Sequence, residues 1–149
     1  MTITPDYAMA DAPQPKVVVI GAQVGRNNPV KQNWLRKVTP GCDVVMSVCT
    51  GAFQLASTGL LDGKQATTHH DFFESFTKKY PKVTLMRGDR YVESGERLYT
   101  AGGLTSGVDL ALHLVELRFG KKIAAQVANY MEYGGKGWEH PKGASPVTD

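Results

Sequence analysis

Long apolar runs are absent from this sequence. No segment of the 149-residue chain approaches the roughly 20 apolar residues that a membrane-spanning helix needs. Residues 1–14 lack the basic start and the apolar middle of a secretory signal peptide. The basic residues are scattered and the formal net charge is only +3, so neither a nucleic-acid groove nor a basic membrane patch is indicated. We therefore expect a cytoplasmic protein that binds neither membranes nor nucleic acid directly.

Cysteine is scarce. The two cysteines, Cys42 and Cys49, stand in different settings, so we expect free thiols in a reducing compartment rather than a disulfide. Cys42 follows a Pro-Gly pair just before a predicted strand and is interpreted as structural. No nucleotide-binding fingerprint is present, and we expect no cofactor. We also expect no metal site at His69, His70 and Asp71, because adjacent side chains in an extended segment point in opposite directions.

What the sequence does contain is typical of one globular domain. Apolar residues make up 42% and charged residues 21% of the chain, which is long enough to bury a core. Apolar and β-branched runs predict strands at residues 16–20, 43–48, 65–68, 83–86, 90–93 and 97–100. Apolar residues at helical spacing predict helices at residues 28–38, 50–57, 71–80, 105–119 and 121–133.

Some segments carry more specific expectations. Residues 3–9 are predicted to be a short edge strand or an extended lead-in, and the tail from Gly134 an irregular or disordered arm. The helix predicted at 105–119 is apolar on most of its surface, so we expect it to be buried between layers. Asp71 is the expected N-cap of its helix. Asp109 is expected in the first turn of the helix at 105–119, where its negative charge interacts favourably with the helix dipole.

Strands that alternate with helices predict an α/β fold, a three-layer sandwich with a mostly parallel central sheet. We place this domain at residues 1–135 and treat residues 136–149 as a C-terminal tail. Ligands in such folds bind at the carboxyl ends of the strands. Cys49 and the loop that begins at Gly21 each follow one of two neighbouring strands, so both are expected at that edge.

Cys49 stands where a strand passes directly into helix-forming residues. Ser47 and Gly51, two positions away on either side, are small. This is typical of a nucleophile elbow, where the chain reverses so sharply that bulky neighbours would collide with the reactive residue. The N–H groups of the following turn, from Thr50 to Phe53, are expected to point at the sulfur and to favour the thiolate. The pattern favours a nucleophile at Cys49 over the alternative, a small buried side chain.

Several motifs together resemble the ThiJ/PfpI superfamily, which has a flavodoxin-like, class I glutamine-amidotransferase-like fold. They are Ser-Val-Cys-Thr-Gly-Ala at 47–52, Gly-Leu-Leu-Asp-Gly at 59–63, Ala-Thr-Thr-His at 66–69 and Thr-Ala-Gly-Gly-Leu-Thr-Ser-Gly from residue 100. The resemblance covers about residues 3–135 and is strongest to isonitrile hydratases and to the sensor domains of AraC-type regulators. The protease branch usually has a histidine after the nucleophile, whereas this chain has Thr50, which argues against peptidase activity.

The resemblance implies roles for five residues. Cys49 is similar to the family nucleophile, and Thr50 to the neighbouring hydroxyl that hydrogen-bonds the substrate or intermediate. The backbone N–H groups of Ala22, Thr50 and Gly51 correspond to an oxyanion-type hole. His69 lies where relatives often have a histidine near the thiol, and a proton-shuttling role and a structural role are both kept open for it.

Two departures from the family pattern are visible. The usual Gly-Gly after the preceding strand is Gly21-Ala22 here, where a left-handed backbone would be strained. Relatives also begin with a further strand and helices that supply an acidic partner for the thiol, and this chain starts at what resembles the middle of that fold. Two explanations stay open: the chain is a fragment, or Met1 is a native start and part of the site is lost.

The resemblance predicts a cysteine-dependent enzyme that adds water to an isonitrile to give an N-substituted formamide. A non-catalytic ligand-sensing or redox-sensing domain, related to AraC-type regulators, is the first alternative. An amidase or glyoxalase is the second, and it requires His69 to reach the thiol. The expected partners are a small-molecule substrate or ligand and a second copy of the chain, because family members usually pair and an exposed sheet edge invites pairing.

Overall fold

The computed structural model of the protein describes residues 2, 4–23 and 28–141. The strands in these ranges are β1 (Val17–Ile20), β2 (Val44–Val48), β3 (Gln65–Ala66), β4 (Thr84–Leu85), β5 (Tyr91–Gly95) and β6 (Leu98–Ala101). The helices are α1 (Pro29–Val38), α2 (Gly51–Ala56), α3 (Phe73–Lys79), α4 (Leu104–Phe119) and α5 (Lys121–Tyr130), with 3₁₀ turns at Thr39–Gly41, His70–Phe72 and Gly137–Glu139. Across the described ranges, no helix combines the length and apolar character that a bilayer crossing requires.

The central sheet has the strand order β1-β2-β6-β5. β1 is parallel to β2 and β2 is parallel to β6, whereas β5 and β6 form an antiparallel hairpin. β3 and β4 pair in parallel as a separate two-stranded sheet. The apolar, β-branched sequences of β1 and β2 suit a parallel sheet between helix layers. The predicted α/β fold with a mostly parallel central sheet is confirmed.

Helices pack on both faces of the central sheet. α2 and α3 contribute Leu55 and Phe76 to the core on one face, which α1 also joins, and α4 contributes Leu110 to the core on the other. Successive side chains of a strand point to opposite faces, so Val45 of β2 belongs to the first core and Met46 to the second. Both cores meet at β2, and β2 leads directly to Cys49.

The α4 side of the sheet is only partly covered. Val17 and Val19 of β1 are 55% and 61% exposed, and Leu104 at the start of α4 is 81% exposed. An apolar groove of about 380 Å³ lies between β1, α4 and α5. The prediction that α4 is buried between layers holds for its middle, where Leu110 packs on the sheet and Leu112 packs on α5. It fails at the start of the helix, where Leu104 is exposed.

The N-terminal segment is a lead-in to β1. Residues 4–9 contain no strand, and a turn follows in which the N–H of Ala12 donates to the carbonyl oxygen of Ala8 at 2.9 Å. The lead-in alternative therefore holds for these residues, while Ile3 lies outside the described residues.

The described C-terminal segment, residues 134–141, is mostly irregular, as predicted, but it is anchored to the fold. Trp138 is 4% exposed and lies in a cluster with residues of α4 and α5. The N–H of Arg90 donates to the carbonyl oxygen of Pro141 at 2.7 Å. Residues 142–149 of the predicted tail lie outside the described residues, and a domain boundary at residue 135 stays a prediction.

Candidate active site at the carboxyl end of the second strand

Cys49 directly follows β2 and has a left-handed backbone, with a φ of 59°. This conformation is rare for residues other than glycine and persists only where the surroundings hold it. The N–H of Cys49 donates to the carbonyl oxygens of Ala101 at 3.1 Å and Gly102 at 2.7 Å. Its own carbonyl oxygen accepts from the Thr68 hydroxyl at 2.9 Å. The residue is half-buried with a free thiol, so the sharp turn expected at Cys49 is present.

The turn depends on a close approach between β1 and the start of α2. A Cβ atom at Gly51 would overlap the carbonyl oxygen of Ile20 and lie 2.9 Å from its carbonyl carbon. Ser47, which pairs with Ile20 across the two strands, has no exposed surface. Small residues at positions 47 and 51 are therefore required, as the sequence predicts. For Gly51 the reason differs from the expected one, since a larger residue would strike the backbone of β1.

Fewer N–H groups are available at the turn than the sequence suggests. The N–H of Ala52 donates to the carbonyl oxygen of Cys49 at 3.4 Å, and that of Phe53 to the carbonyl oxygen of Thr50 at 3.1 Å. In the described part of the chain, the N–H groups of Thr50 and Gly51 donate to no acceptor. These two amides are the ones that remain for a substrate oxygen, nitrogen or carbon that gains negative charge.

The loop after β1 lies beside this turn, as parallel pairing of β1 and β2 implies. A Cβ atom at Gly51 would come within 3.0 Å of the carbonyl oxygen of Gly21, and Gly21 and Ala22 are exposed. Ala22 is not among the described residues with positive φ, so the strain considered for it is absent. Residues 24–27 of this loop lie outside the described residues, and the role of the Ala22 N–H stays a prediction.

His69 starts a 3₁₀ turn. Its Nδ1 accepts from the N–H of Asp71 at 3.3 Å, so His69 is the N-cap, and the prediction that Asp71 caps the helix is wrong because the turn begins earlier. The His69 ring packs over Gly103, where a Cβ atom would lie 3.3 Å from the ring Cδ2. Among the described residues, its polar contacts run to the N–H and the carboxylate of Asp71 rather than to Cys49. These contacts favour the structural role.

The rings of His69 and His70 are stacked, with centroids 4.3 Å apart and planes inclined by 25°. The Asp71 carboxylate lies 3.6 Å from Nδ1 of His69 and 3.1 Å from Nε2 of His70. The prediction that these side chains point in opposite directions is wrong, because His70 belongs to a 3₁₀ turn and not to an extended segment.

Sequence patterns assign no role to Thr68 and Gly102, which hydrogen-bond the Cys49 backbone together with Ala101 of β6. Thr68 stands in the Ala-Thr-Thr-His motif and Gly102 in the Thr-Ala-Gly-Gly motif. The presence of both motifs in a chain with Cys49-Thr50 is the only sequence feature that points to these residues. A buried hydroxyl cluster lies next to them: the N–H of Thr67 donates to Oγ1 of Thr100 at 2.9 Å, and Oγ of Ser94 lies 3.3 Å from the same oxygen. This cluster ties the segment before His69 to β5 and β6.

Cys42 lies in the core. It is 2% exposed, and its thiol donates to the carbonyl oxygen of Val38 at 3.2 Å. Burial raises the pKa of the Cys42 thiol, and the nearby Arg97 guanidinium only partly offsets this. The structural interpretation of Cys42 is confirmed.

The sequence is similar to proteins of known family. The model of the DJ-1/PfpI family matches residues 1–117. An isonitrile hydratase from Pseudomonas putida is 34% identical over 140 residues, which cover 89% of this chain and 58% of that protein. The HTH-type transcriptional regulator CdhR of Pseudomonas aeruginosa is 33% identical over 106 residues, which cover 71% of this chain and 31% of the regulator.

The fold is similar to a solved structure as well. A ThiJ/PfpI family protein from Pseudomonas syringae superposes with a TM-score of 0.71 at 22% identity, over 91% of this chain and 57% of the other. The chain thus spans less than two thirds of the length of each of these relatives.

Proposed function

The chain belongs to the DJ-1/PfpI family, and from that premise we propose that it is a cysteine-dependent enzyme that adds water to an isonitrile. The product is an N-substituted formamide. The observation that carries the proposal is the left-handed backbone of Cys49, a free cysteine that is followed by two residues, Thr50 and Gly51, whose N–H groups have no acceptor among the described residues. The similarity to an isonitrile hydratase over 89% of the chain supports the substrate class.

The reaction takes place at the terminal carbon of the isonitrile. The Cys49 thiolate attacks this carbon, a C–S bond forms and the carbon takes a proton, which gives a thioimidate. Water then adds to the same carbon, the nitrogen takes a proton and the C–S bond breaks. The oxygen of water stays on the carbon as the formamide carbonyl, and Cys49 is regenerated. Isonitrile and water give formamide without net oxidation or reduction.

Backbone amides and nearby side chains assist these steps in our proposal. The N–H groups of Thr50 and Gly51, with Ala22 as a third donor, stabilise the negative charge that develops on the substrate, and one such donor is typically worth about 10²–10³ in rate. The Thr50 hydroxyl hydrogen-bonds the substrate. Water delivers the protons, because the contacts of His69 run to Asp71.

The test is formamide production. We expect the wild-type protein to convert cyclohexyl isocyanide to N-cyclohexylformamide, measured by gas chromatography and mass spectrometry. Cys49→Ala, which removes the nucleophile, should give no product above the uncatalysed background. Cys42→Ser is the matched control: a buried hydroxyl can still donate to the carbonyl oxygen of Val38, and turnover should persist.

Labelling with iodoacetamide separates the enzyme from other uses of the thiol. Cys49 should be alkylated in preference to Cys42, which is buried and has a raised thiol pKa. Labelling of Cys49 without turnover would remove the enzyme proposal and leave the sensor. Equal labelling of both cysteines in the folded protein would argue against any special reactivity at Cys49.

A ligand-sensing or redox-sensing domain is the second candidate. Its support is the similarity to a transcriptional regulator over 71% of this chain, together with the contacts of His69, which run to Asp71 and so provide no base for the thiol. An amidase or glyoxalase has less support, because that chemistry needs His69 at the thiol.

We propose a small molecule as the ligand in either case and the reducing cytoplasm as the compartment. The free thiols of Cys42 and Cys49 support the second point.

We also propose that the protein forms a homodimer through β1. Within the described residues β1 pairs only with β2, so its other edge offers backbone donors and acceptors to a second copy. Val17 and Val19 add exposed apolar surface to that strand.

Sedimentation velocity tests the dimer. We expect the wild-type protein to sediment as a dimer at micromolar concentration, and Val19→Lys to sediment as a monomer because charges would face each other across the edge. Val30→Lys is the matched control, since Val30 is 66% exposed and belongs to α1 rather than to the β1 edge. A wild-type monomer, or a Val19→Lys dimer, would contradict the β1 interface.

A further inference from the structure

We propose that His69, His70 and Asp71 form a zinc-binding site. Each residue offers one ligand atom, and the three atoms lie within 4.8 Å of one another. The three residues are consecutive, so the chain brings them together without help from a distant segment. The 3₁₀ turn that starts at His69 places all three side chains on one side of the backbone.

The distances between ligand atoms fit one ion. Tetrahedral zinc with bonds of about 2.0–2.1 Å to nitrogen and oxygen separates its ligand atoms by about 3.3 Å. Oδ2 of Asp71 lies 3.6 Å from Nδ1 of His69 and Oδ1 lies 3.1 Å from Nε2 of His70, so the carboxylate faces both rings at distances near that value. One ligand atom from each residue lies within 4.8 Å of the other two, so the side chains must move closer together to surround an ion.

The ligand types favour zinc, a cation of intermediate softness. Two imidazole nitrogens and one carboxylate oxygen form a common protein ligand set for zinc, and they leave a fourth position for water. The site is open to solvent, because His70 and Asp71 are 69% and 65% exposed. Zinc takes the place of the Asp71 N–H as the partner of Nδ1 of His69, and that hydrogen bond is already long at 3.3 Å.

One ligand is better fixed than the other two. The His69 ring packs over Gly103, and Phe72 lies edge-on to it with ring centroids 6.0 Å apart. His69 directly follows Thr68, whose hydroxyl donates to the Cys49 carbonyl oxygen. The bound ion would therefore lie on the segment that supports the turn at Cys49.

Isothermal titration calorimetry with ZnCl₂ tests the site on the purified chain at pH 7.5. We expect one ion per chain, with affinity reduced at least tenfold in both His70→Asn and Asp71→Asn. Both substitutions replace exposed side chains, and thermal melting confirms that the variants fold. His113→Asn is the control, because His113 pairs with Glu93 elsewhere in the fold. Cys49→Ala should bind zinc as tightly as the wild type.

Three outcomes would overturn the proposal. They are no zinc binding by the wild type, wild-type zinc affinity in both His70→Asn and Asp71→Asn, and loss of zinc binding in Cys49→Ala. The last result would assign the ion to the thiol. NMR of the wild type gives a readout that needs no variant: zinc should shift the ring resonances of His69 and His70 and leave those of His113 in place. None of these results depends on isonitrile turnover.

Discussion

Replacing Gly51 with alanine is expected to lower the free energy of unfolding by about 3 kcal/mol, at the upper end of the range for overpacked sites. The added Cβ atom would overlap the carbonyl oxygen of Ile20 and lie 2.9 Å from its carbon. Both atoms belong to the backbone of β1, so no side-chain rotation relieves the contact. Alanine gains about 0.5–1 kcal/mol over glycine within a helix, and this gain is too small to offset the overlap.

Guanidinium chloride denaturation, followed by circular dichroism, measures the change for Gly51→Ala. The midpoint should fall with an unchanged m-value. Gly134→Ala is the matched control: its added Cβ atom has no neighbour within 4 Å, and its effect should stay within about 0.5 kcal/mol. The same overlap must displace the start of α2, so iodoacetamide should lose its preference for Cys49 over Cys42. A Gly51→Ala variant with wild-type stability and labelling would show that the turn at Cys49 does not need this close approach.

Much of the scaffold can be predicted from local sequence. The run at β1 is apolar and β-branched throughout and the run at β2 is mostly so, which is typical of parallel strands in an α/β sheet. The turn at Cys49 is predictable too, because a reactive residue type, small neighbours and a change from strand to helix coincide within five positions. Both predictions succeed because they depend on the residues that themselves form the strands and the turn.

What escapes prediction depends on contacts from distant segments. Nothing around position 51 in the sequence identifies Ile20 as the group that excludes a side chain there. The apolar surface of α4 does not reveal which parts of it have a neighbour. His69 and His70 stack at a 3₁₀ turn whose N-cap is His69, two positions before the predicted cap Asp71, and such shifts are decided by capping bonds.

Asp109 is another residue whose contacts come from distant segments, and its replacement is expected to have the largest effect on the free energy of unfolding. The sequence suggests a residue in the first turn of a helix, but α4 begins at Leu104 and Asp109 lies in its second turn. Its carboxylate has no exposed surface. It accepts from Nε of Arg90 and, at 3.0 Å, from the Tyr133 hydroxyl. The hydroxyl stays a donor, because burial, assisted by the carboxylate, raises the pKa of Tyr133.

We expect Asp109→Ala to lower the free energy of unfolding by about 3–5 kcal/mol, the range for a buried ion pair that loses one partner. The Arg90 side chain is 29% exposed, so partial hydration should place the result near the lower end. The measurement is again guanidinium chloride denaturation. Asp62→Ala is the matched control, since Asp62 pairs with Lys82 at the surface and should cost less than about 1 kcal/mol.

The loss of Asp109 should also reach Cys49, and this separates its role from general destabilisation. The carbonyl oxygen of Arg90 accepts from the N–H of Gly102 at 2.9 Å, and the carbonyl oxygen of Gly102 accepts from the N–H of Cys49 at 2.7 Å. Without Asp109, the Arg90 guanidinium is expected to turn toward water, which shifts the Arg90 backbone and changes these two hydrogen bonds. In conditions where Asp109→Ala is still folded, alkylation of Cys49 should therefore differ from the wild-type rate, whereas Asp62→Ala should match it. A folded Asp109→Ala variant with unchanged alkylation would confine the role of Asp109 to stability.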